Sequence, residues 1–436
     1  MEGRVHRLIA QANLCLSQGR LAEAAALFGR VLEAEPANFD GLHGMGIVKA
    51  TMGMLPEALR YMAGAIASRP EDAHAHYHIS KASGGLNLYP QALSSCGRAI
   101  FLRPDFVDAH NHAAMLWRGL NRREQALASW SRAIALRPDR AEAYINRAAF
   151  LQDLECFAEA VLSCERAIAL KAHLPEAYNT RGAALYGLKR YAEALASCDR
   201  ALALRPDMAE AHDNRGAVLL ALKRYPEALD SCRRAVVLRP GVTQTHNNQG
   251  AILHGLRRYP EAVACYAKAL ALRPGAAMIL DNLANALREG GRHEEAAACY
   301  ARILESVPDH APARLGAALS QLRIFYDTDD EIGAARKAYG DALDDLGRFG
   351  ARAGARLAEA VGTSLPFYLA YQGEDDRELQ GRYARIICAA MASRYPEHAR
   401  HLSMPAAGPD GRLRVGIVSG YFRGHANWKI RIIGFG

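Results

Sequence analysis

Amide side chains recur along this sequence at a regular interval of 34 residues or its double. The series consists of Asn146, Asn214, Asn248 and Asn282. Asn179 and Asn247 lie one residue earlier in the same pattern. An amide offers both a hydrogen-bond donor and an acceptor, so a row of amides can bind the main chain of another polypeptide whatever its sequence. The same groups can instead hydrogen-bond neighbouring helices, and the residue types alone leave both roles open.

Histidines form the other cluster of chemically capable side chains. His74, His76 and His78 alternate with other residues. Residues two apart on a helix point in different directions, so only His74 and His78 share a face, and the spacing disfavours a metal site. No Ser–His–Asp pattern, phosphate loop or pair of catalytic carboxylates stands out in the sequence.

The cysteines follow the same interval as the amides. Cys96, Cys164, Cys198 and Cys232 occupy one repeated place, and Cys265 and Cys299 lie one residue earlier in theirs. Other intervals carry Phe28, Trp130, Tyr266 or Tyr300 at that place, which indicates a core position filled by a small apolar thiol. Packed helices lie about 8–10 Å apart, too far for these thiols to share a zinc ion or pair as disulfides. Reduced thiols fit a reducing compartment, so we expect a cytoplasmic protein.

The interval that spaces these residues organises most of the chain. Residues 178–206 recur in recognisable form at 212–240 and 246–274. Prolines mark the ends of successive intervals, with Ala172 as the exception: Pro36, Pro70, Pro104, Pro138, Pro206, Pro240, Pro274 and Pro308. This period resembles the tetratricopeptide repeat, in which each unit is a pair of antiparallel helices and the units stack as a right-handed solenoid. We therefore predict an all-α fold with nine units.

We number the positions of each unit so that its proline is position 32. The residue types at the other positions then have a physical explanation. Small residues at positions 8, 20 and 27 let two helices approach closely, and larger ones at positions 4, 7, 11 and 24 fill the space around them. The proline ends the second helix, because it lacks an N–H and disfavours helix in the preceding residue. The amides fall at positions 5 and 6 of the first helix. A concave face is the usual binding surface of such a stack, which favours peptide binding by the amides, although Gly44, His78 and His112 interrupt the row in units two to four.

Composition excludes a membrane protein and weakens a nucleic-acid role. No run of 18 apolar residues or signal-peptide core is present. The formal net charge is +8, but much of the excess recurs once per unit, as at Lys189–Arg190, Lys223–Arg224 and Arg257–Arg258. Without a basic block interleaved with aromatics, this pattern does not favour nucleic acid. Partners are expected to be extended protein segments in the groove; homo-oligomerisation is left open.

The repeat ends near residue 310, and we predict three domains: 1–310, 311–404 and 405–436. Residues 312–326 form a further first helix that caps the stack, and helical spacing continues over 331–360 and 375–395. Residues 405–412 have the composition of a linker. The apolar run Leu413–Ser419 then predicts a buried parallel strand that begins an α/β domain.

Two segments carry a more specific resemblance. LPFYLAYQGEDDRELQGRYARIICAAMASRYP at 365–396 and LRVGIVSGYFRGHANWKI at 413–430 are similar to the junction of SPINDLY-type bacterial O-linked N-acetylglucosamine transferases. The resemblance implies inverting transfer of N-acetylglucosamine from UDP-N-acetylglucosamine to Ser or Thr of proteins, with no metal or cofactor. It implies that His425 lies at the active site and that the asparagine row holds substrate main chains.

The family places its nucleotide-sugar pocket between two lobes, and most of the nucleotide contacts come from the second. This sequence ends nine residues after Asn427, so we expect this chain to transfer no sugar by itself. The alternative function is a non-enzymatic scaffold that binds partner proteins through the same groove. A basic solenoid associated with nucleic acid is a third, weaker hypothesis.

Overall fold

The computed structural model describes residues 2–323, 325–361, 369 and 372–397. The described chain is helical and contains no strand among those residues, which confirms the all-α fold. The strand predicted at 413–419, the linker before it and most of the aromatic stretch at 366–371 lie outside the described residues. The chain divides into two compact units, Met1–Arg292 and His293–Gly436. The domain boundaries expected after residues 310 and 404 stay predictions.

The first unit is a series of helical hairpins. Its first helices are α1 (Glu2–Ser17), α3 (Phe39–Thr51), α5 (Ala73–Gly85), α7 (Val107–Gly119), α9 (Ala141–Asp153), α11 (Pro175–Gly187), α13 (Ala209–Ala221), α15 (Thr243–Gly255) and α17 (Ala277–Glu289). Its second helices are α2 (Leu21–Ala34), α4 (Leu55–Ser68), α6 (Tyr89–Leu102), α8 (Arg123–Leu136), α10 (Phe157–Leu170), α12 (Tyr191–Leu204), α14 (Tyr225–Leu238) and α16 (Tyr259–Leu272). From α3 onward each first helix begins 34 residues after the previous one, as the sequence period predicts.

Each hairpin is held together by small residues that let its helices touch. Position 20 is an alanine with no exposed surface throughout this unit, as at Ala194, Ala228 and Ala262. Position 24 carries a buried side chain of variable size, from Cys198 to Tyr266 and Trp130. All nine cysteines of the chain are free thiols, and burial raises the pKa of Cys198 to about 12, so the buried thiol stays protonated. The expected role of the repeated cysteines as core fillers agrees with this placement.

The connection inside each hairpin is a tight turn with one left-handed residue at position 15. In the α11–α12 turn, Lys189 has φ of 59°. The N–H of Arg190 then donates to the Leu185 carbonyl at 2.9 Å, and the N–H of Lys189 to the Tyr186 carbonyl at 2.9 Å. This pattern satisfies the last carbonyls of α11 and reverses the chain within three residues.

The second unit contains α18 (His293–Ser306), α19 (Ala311–Leu319), α20 (Asp329–Ala360) and α21 (Arg377–Arg394). Its core joins Leu319 of α19 to Tyr339 and Leu343 of α20, and extends to Tyr383 of α21. Arg336 and Asp376 link α20 to α21 at 2.7 Å. The capping helix predicted over 312–326 ends earlier, at Leu319. The long helix α20 is kinked at Ala353, whose φ of −137° is not helical.

None of the described helices is both long enough and apolar enough to cross a lipid bilayer.

The close approach at position 8 gives a stability prediction. A Cβ added to Gly250 would lie 2.6 Å from the ring of Tyr266, which is 1% exposed. We expect Gly250→Ala to lower the free energy of unfolding by about 1–3 kcal/mol, because the buried ring has no room to move. Chemical denaturation followed by circular dichroism measures the change.

Gly97 provides the matched control, since it lies inside α6 with nothing within 4 Å of the added Cβ. Gly97→Ala should stabilise slightly, by about 0.5–1 kcal/mol, through helix propensity alone. Equal effects of the two substitutions would contradict the packing argument.

Candidate functional site

The first helices of the first unit form the inner side of the stack. Neighbouring first helices, such as α11 and α13 or α13 and α15, approach each other closely, whereas the second helices of neighbouring hairpins stand farther apart. A stack whose elements converge on one side is curved toward that side. Positions 5 and 6 of the first helices lie where neighbouring first helices meet on this side of the stack.

The structure brings the predicted amides together in pairs between neighbouring helices. Asn214 Nδ2 donates to Asn179 Oδ1 at 2.9 Å, and Asn282 Nδ2 donates to Asn247 Oδ1 at 3.0 Å. Asn248 Nδ2 donates to a carboxylate, Asp213 Oδ1, at 3.0 Å. Each bond joins position 6 of one hairpin to position 5 of the hairpin before it. These contacts are the interhelical role that the residue types left open, and peptide binding by the same residues remains a prediction.

The amide pairs differ in how much of their surface is available. Asn247 and Asn248 are buried, with 5% and 8% exposure, whereas Asn179 and Asn214 are half-buried. The Oδ1 of Asn214 and the Nδ2 of Asn179 have no hydrogen-bond partner among the described residues. Asn146 is half-buried on α9 and has no side-chain hydrogen bond to the described residues.

A cavity of about 310 Å³ opens beside the Asn179–Asn214 pair. Its wall includes Thr180 and Ala183 of α11, Asp213 of α13 and Thr245 of α15, as well as the two amides. Gln152 closes one end and donates from Nε2 to the Thr180 carbonyl at 2.7 Å.

The carboxylates around this cavity are not equivalent. Glu210 is ion-paired with Arg239, and both residues belong to the cavity wall. Asp213 accepts hydrogen bonds from Asn248 and Thr245 but has no cationic partner among the described residues. Burial raises the pKa of Asp213, although these two hydrogen bonds oppose the shift. The cavity therefore combines neutral donors and acceptors with one carboxylate that no Lys or Arg side chain neutralises.

Where the amide row is interrupted, imidazole and aromatic rings replace it. His43 Nε2 and His78 Nδ1 lie 2.8 Å apart, in the same position 5 to position 6 relation as the amide pairs. Tyr77 packs beside His78 and His112, with ring centroids 5.5 and 5.9 Å away. Sequence reasoning missed the His43–His78 contact, which the alignment of positions 5 and 6 in successive units could have revealed.

The other candidate residues are dispersed or lie outside the described chain. The ring nitrogens of His74 and His76 approach Arg103 Nη1 at 3.2 Å and the Pro70 carbonyl at 2.9 Å, so the three clustered histidines point to three different partners. No group of three or more possible metal ligands occurs in the part of the chain that the structure describes. His425 lies outside that part.

The His43–His78 pair gives a pH-dependent stability prediction. Burial, together with the neighbouring His43, Lys81 and His74, lowers the pKa of His78 to about 4, and Asp72 opposes the shift. In the unfolded chain this imidazole titrates near its ordinary value of about 6.5. Between these values only the unfolded state binds the proton, so the free energy of unfolding falls as pH drops from about 6.5 toward 4.

We expect a loss of about 2–3 kcal/mol over this window, measured by thermal unfolding from pH 7.5 to 4.5. His78→Asn inserts the residue that later hairpins carry at position 6, and it should flatten the pH dependence. The exposed His6 supplies the control, because His6→Asn leaves the buried pair intact and should leave the slope unchanged. An unchanged slope in His78→Asn would contradict the prediction.

Comparisons with known proteins agree with this architecture. Family models described as tetratricopeptide repeat match residues 16–82, 151–209, 179–242 and 241–309. No curated protein matches the sequence.

Solved structures are similar to this chain at low sequence identity. The crystal structure of the APC/C hetero-tetramer Cut9–Hcn1 matches with a TM-score of 0.50 and 19% sequence identity. The match covers 64% of this chain and 55% of that chain. A tetratricopeptide repeat protein from Parabacteroides merdae matches with a TM-score of 0.48 and 16% identity over 57% of this chain and 98% of that one. With helical hairpins that recur every 34 residues and family models that together match residues 16–82 and 151–309, the chain is a tetratricopeptide-repeat protein.

Proposed function

We propose that the first unit binds extended polypeptide segments along its inner face. We call each side-chain pair that joins position 6 of one hairpin to position 5 of the hairpin before it a rung, and we propose that the Asn179–Asn214 rung makes the main contact. The observation that carries this proposal is the hydrogen-bonding capacity left open beside the 310 Å³ cavity. The bond between the two amides leaves one acceptor, Asn214 Oδ1, and one donor group, Asn179 Nδ2. Reversing both amides leaves the same inventory. One donor and one acceptor complement the carbonyl and the N–H of a peptide main chain.

The spacing of the rungs also suits an extended segment. Equivalent positions on adjacent first helices recur about 8–10 Å apart, the usual distance between packed helices. An extended chain advances about 3.3 Å per residue, so three residues of the ligand cover one hairpin. The same register then reaches the rung formed by Asn247 and Asn282, with the intervening Asp213–Asn248 rung between them.

We further propose that this binding serves transfer of N-acetylglucosamine, so that captured segments are presented to a glycosyltransferase domain for modification on Ser or Thr. The support is the resemblance of residues 365–396 and 413–430 to the SPINDLY-type transferase family, with His425 in the segment that the family places at its active site. The alternative is a scaffold that binds the same segments without modifying them. Both functions use the same inner face, so they differ in the fate of the bound protein.

The groove hypothesis predicts that filling the cavity abolishes capture. Ala183 lines the cavity and is only half-buried, so Ala183→Phe should project a ring into the space and weaken partner binding about tenfold or more. Immobilised protein incubated with lysate of the source organism, followed by quantitative mass spectrometry, measures the captured partners.

Ala203 on the outer side of α12 is the matched control, because Ala203→Phe adds the same ring at an exposed position and should leave capture unchanged. Replacing Asn214, Asn248 and Asn282 by Ala should also weaken capture, but it removes interhelical bonds as well, so thermal unfolding is measured in parallel. Unchanged capture by the Ala183→Phe variant would contradict binding of partner proteins in this cavity.

The transferase hypothesis predicts a chemical mark on the captured proteins. Proteins retained by the wild-type chain, and lost with Ala183→Phe, should carry N-acetylhexosamine on Ser or Thr near the bound segment when isolated from source cells. Electron-transfer fragmentation mass spectrometry locates the sugar. Captured partners without it would exclude the transferase role and leave the scaffold function standing.

A further inference from the structure

A row of cations occupies an unusual backbone position at one edge of the first unit. Lys189, Lys223 and Arg257 are position 15 of three successive hairpins, and each has φ of 59°. All three side chains are exposed. The equivalent turns elsewhere carry Gly19, Gly53, Asn87, Asn121, Glu155 and Gly291.

The left-handed conformation disfavours Lys and Arg at this position. A residue with a Cβ incurs a cost of about 1 kcal/mol there, whereas Gly incurs almost none and Asn less than most. The hairpins that carry Gly or Asn show that this turn forms without a cation. Three adjacent hairpins nevertheless place a long cationic side chain at the strained residue, which points to a role outside the fold.

These three cations have no acidic partner, unlike the arginines beside them. Arg190 Nη2 binds Glu193 Oε2 at 2.7 Å, and Arg224 and Arg258 bind Glu227 and Glu261 in the same way at 2.5 and 2.6 Å. Lys189, Lys223 and Arg257 form no ion pair with the described residues. The turn row, defined as Lys189, Lys223 and Arg257, therefore carries one uncompensated positive charge per hairpin and is bounded by Glu155 on one side and Gly291 on the other.

We propose that the turn row docks an extended acidic polypeptide segment with a carboxylate at every third residue. Its positive charges recur about 8–10 Å apart, the spacing of packed helices. Three residues of extended chain span about 10 Å, so Asp or Glu at positions i, i+3 and i+6 of a segment meets all three cations in register. This surface lies at the hairpin turns and is separate from the amides of the inner face. A test of this proposal therefore does not depend on peptide binding by those amides.

Charge density favours an acidic polypeptide over nucleic acid. Duplex DNA presents a negative charge about every 1.7 Å along its axis, so one cation per hairpin neutralises little of it. A sparse row of single charges matches a sparse row of carboxylates.

The test uses the whole chain and three fluorescent peptides in anisotropy titrations at low salt. One peptide repeats Glu-Ser-Gly six times, the second has the same composition with all glutamates in one block, and the third replaces Glu by Lys. We expect the periodic acidic peptide to bind at least fivefold more tightly than the block peptide, and the Lys peptide not to bind. Equal affinity for the two acidic peptides would overturn the register argument.

The triple variant K189G, K223G and R257G removes the turn row while supplying the residue that the turn conformation prefers, so its folding should be retained. We expect its affinity for the periodic peptide to fall about tenfold, in line with the loss of three exposed ion pairs. The control R166A, R200A and K268A removes the same charge from exposed positions on second helices and should bind as the wild type does.

Equal weakening in both triple variants would show that net charge alone attracts the peptide and would overturn the proposal. Tighter binding of the chain to a single-stranded oligonucleotide than to the periodic peptide, with loss in the turn-row variant, would reassign the surface to nucleic acid. The Ala183→Phe variant should bind the periodic peptide normally, which separates failure of this proposal from failure of the groove.

Discussion

The contact between the two helices of each hairpin is the constraint on which the rest of the first unit depends. Position 20 has no exposed surface in any of these hairpins and is always alanine. Position 8 lies against position 24 across this contact: Gly250 faces Tyr266, and Gly216 faces Cys232. Since interiors pack as densely as organic crystals, a side chain added at position 8 would displace the residue at position 24.

Because the fold depends on the tight contact inside each hairpin, the polar contacts between hairpins are available for a second role. Neighbouring first helices are joined by exchangeable polar bonds such as Asn214 to Asn179. A neutral hydrogen bond contributes only about 1 kcal/mol net, because water competes for both groups, so a ligand can add bonds to a half-buried rung at little cost to the fold. A buried rung differs, since leaving an amide such as Asn248 without a partner incurs a desolvation penalty. For the proposed peptide binding, the half-buried Asn179–Asn214 pair is therefore the better candidate site, and the buried Asn248 joins its helix to the neighbouring one.

The sequence predicts most of the fold because each boundary carries its own chemical signal. Proline ends second helices and starts several of them, and the period repeats those signals. It does not predict the end of the capping helix at Leu319 or the kink at Ala353, because neither has a proline to mark it.

Of the candidate site, the sequence correctly places the amides on the first helices, since that follows from position alone. It does not decide whether they face a ligand or one another, because the answer depends on the distance between neighbouring helices, which brings together side chains 35 residues apart such as Asn214 and Asn179. The left-handed turn residues escape prediction for a related reason. Gly or Asn normally marks a left-handed turn residue, but these turns carry Lys223 and Arg257 instead. The two helices that the turn joins impose the conformation.

Positions 5 and 6 of the first helices carry two different kinds of side chain along the inner face. In the early hairpins, positions 5 and 6 present imidazole and phenol rings, as at His43, Tyr77 and His78, and burial raises the pKa of Tyr77 to about 12. In the later hairpins the same positions present amides and the carboxylate of Asp213. Rings favour apolar and aromatic side chains, whereas amides favour any main chain. Under the proposed peptide binding, a segment long enough to cover both parts would be selected by its side chains at one end and held by its backbone at the other.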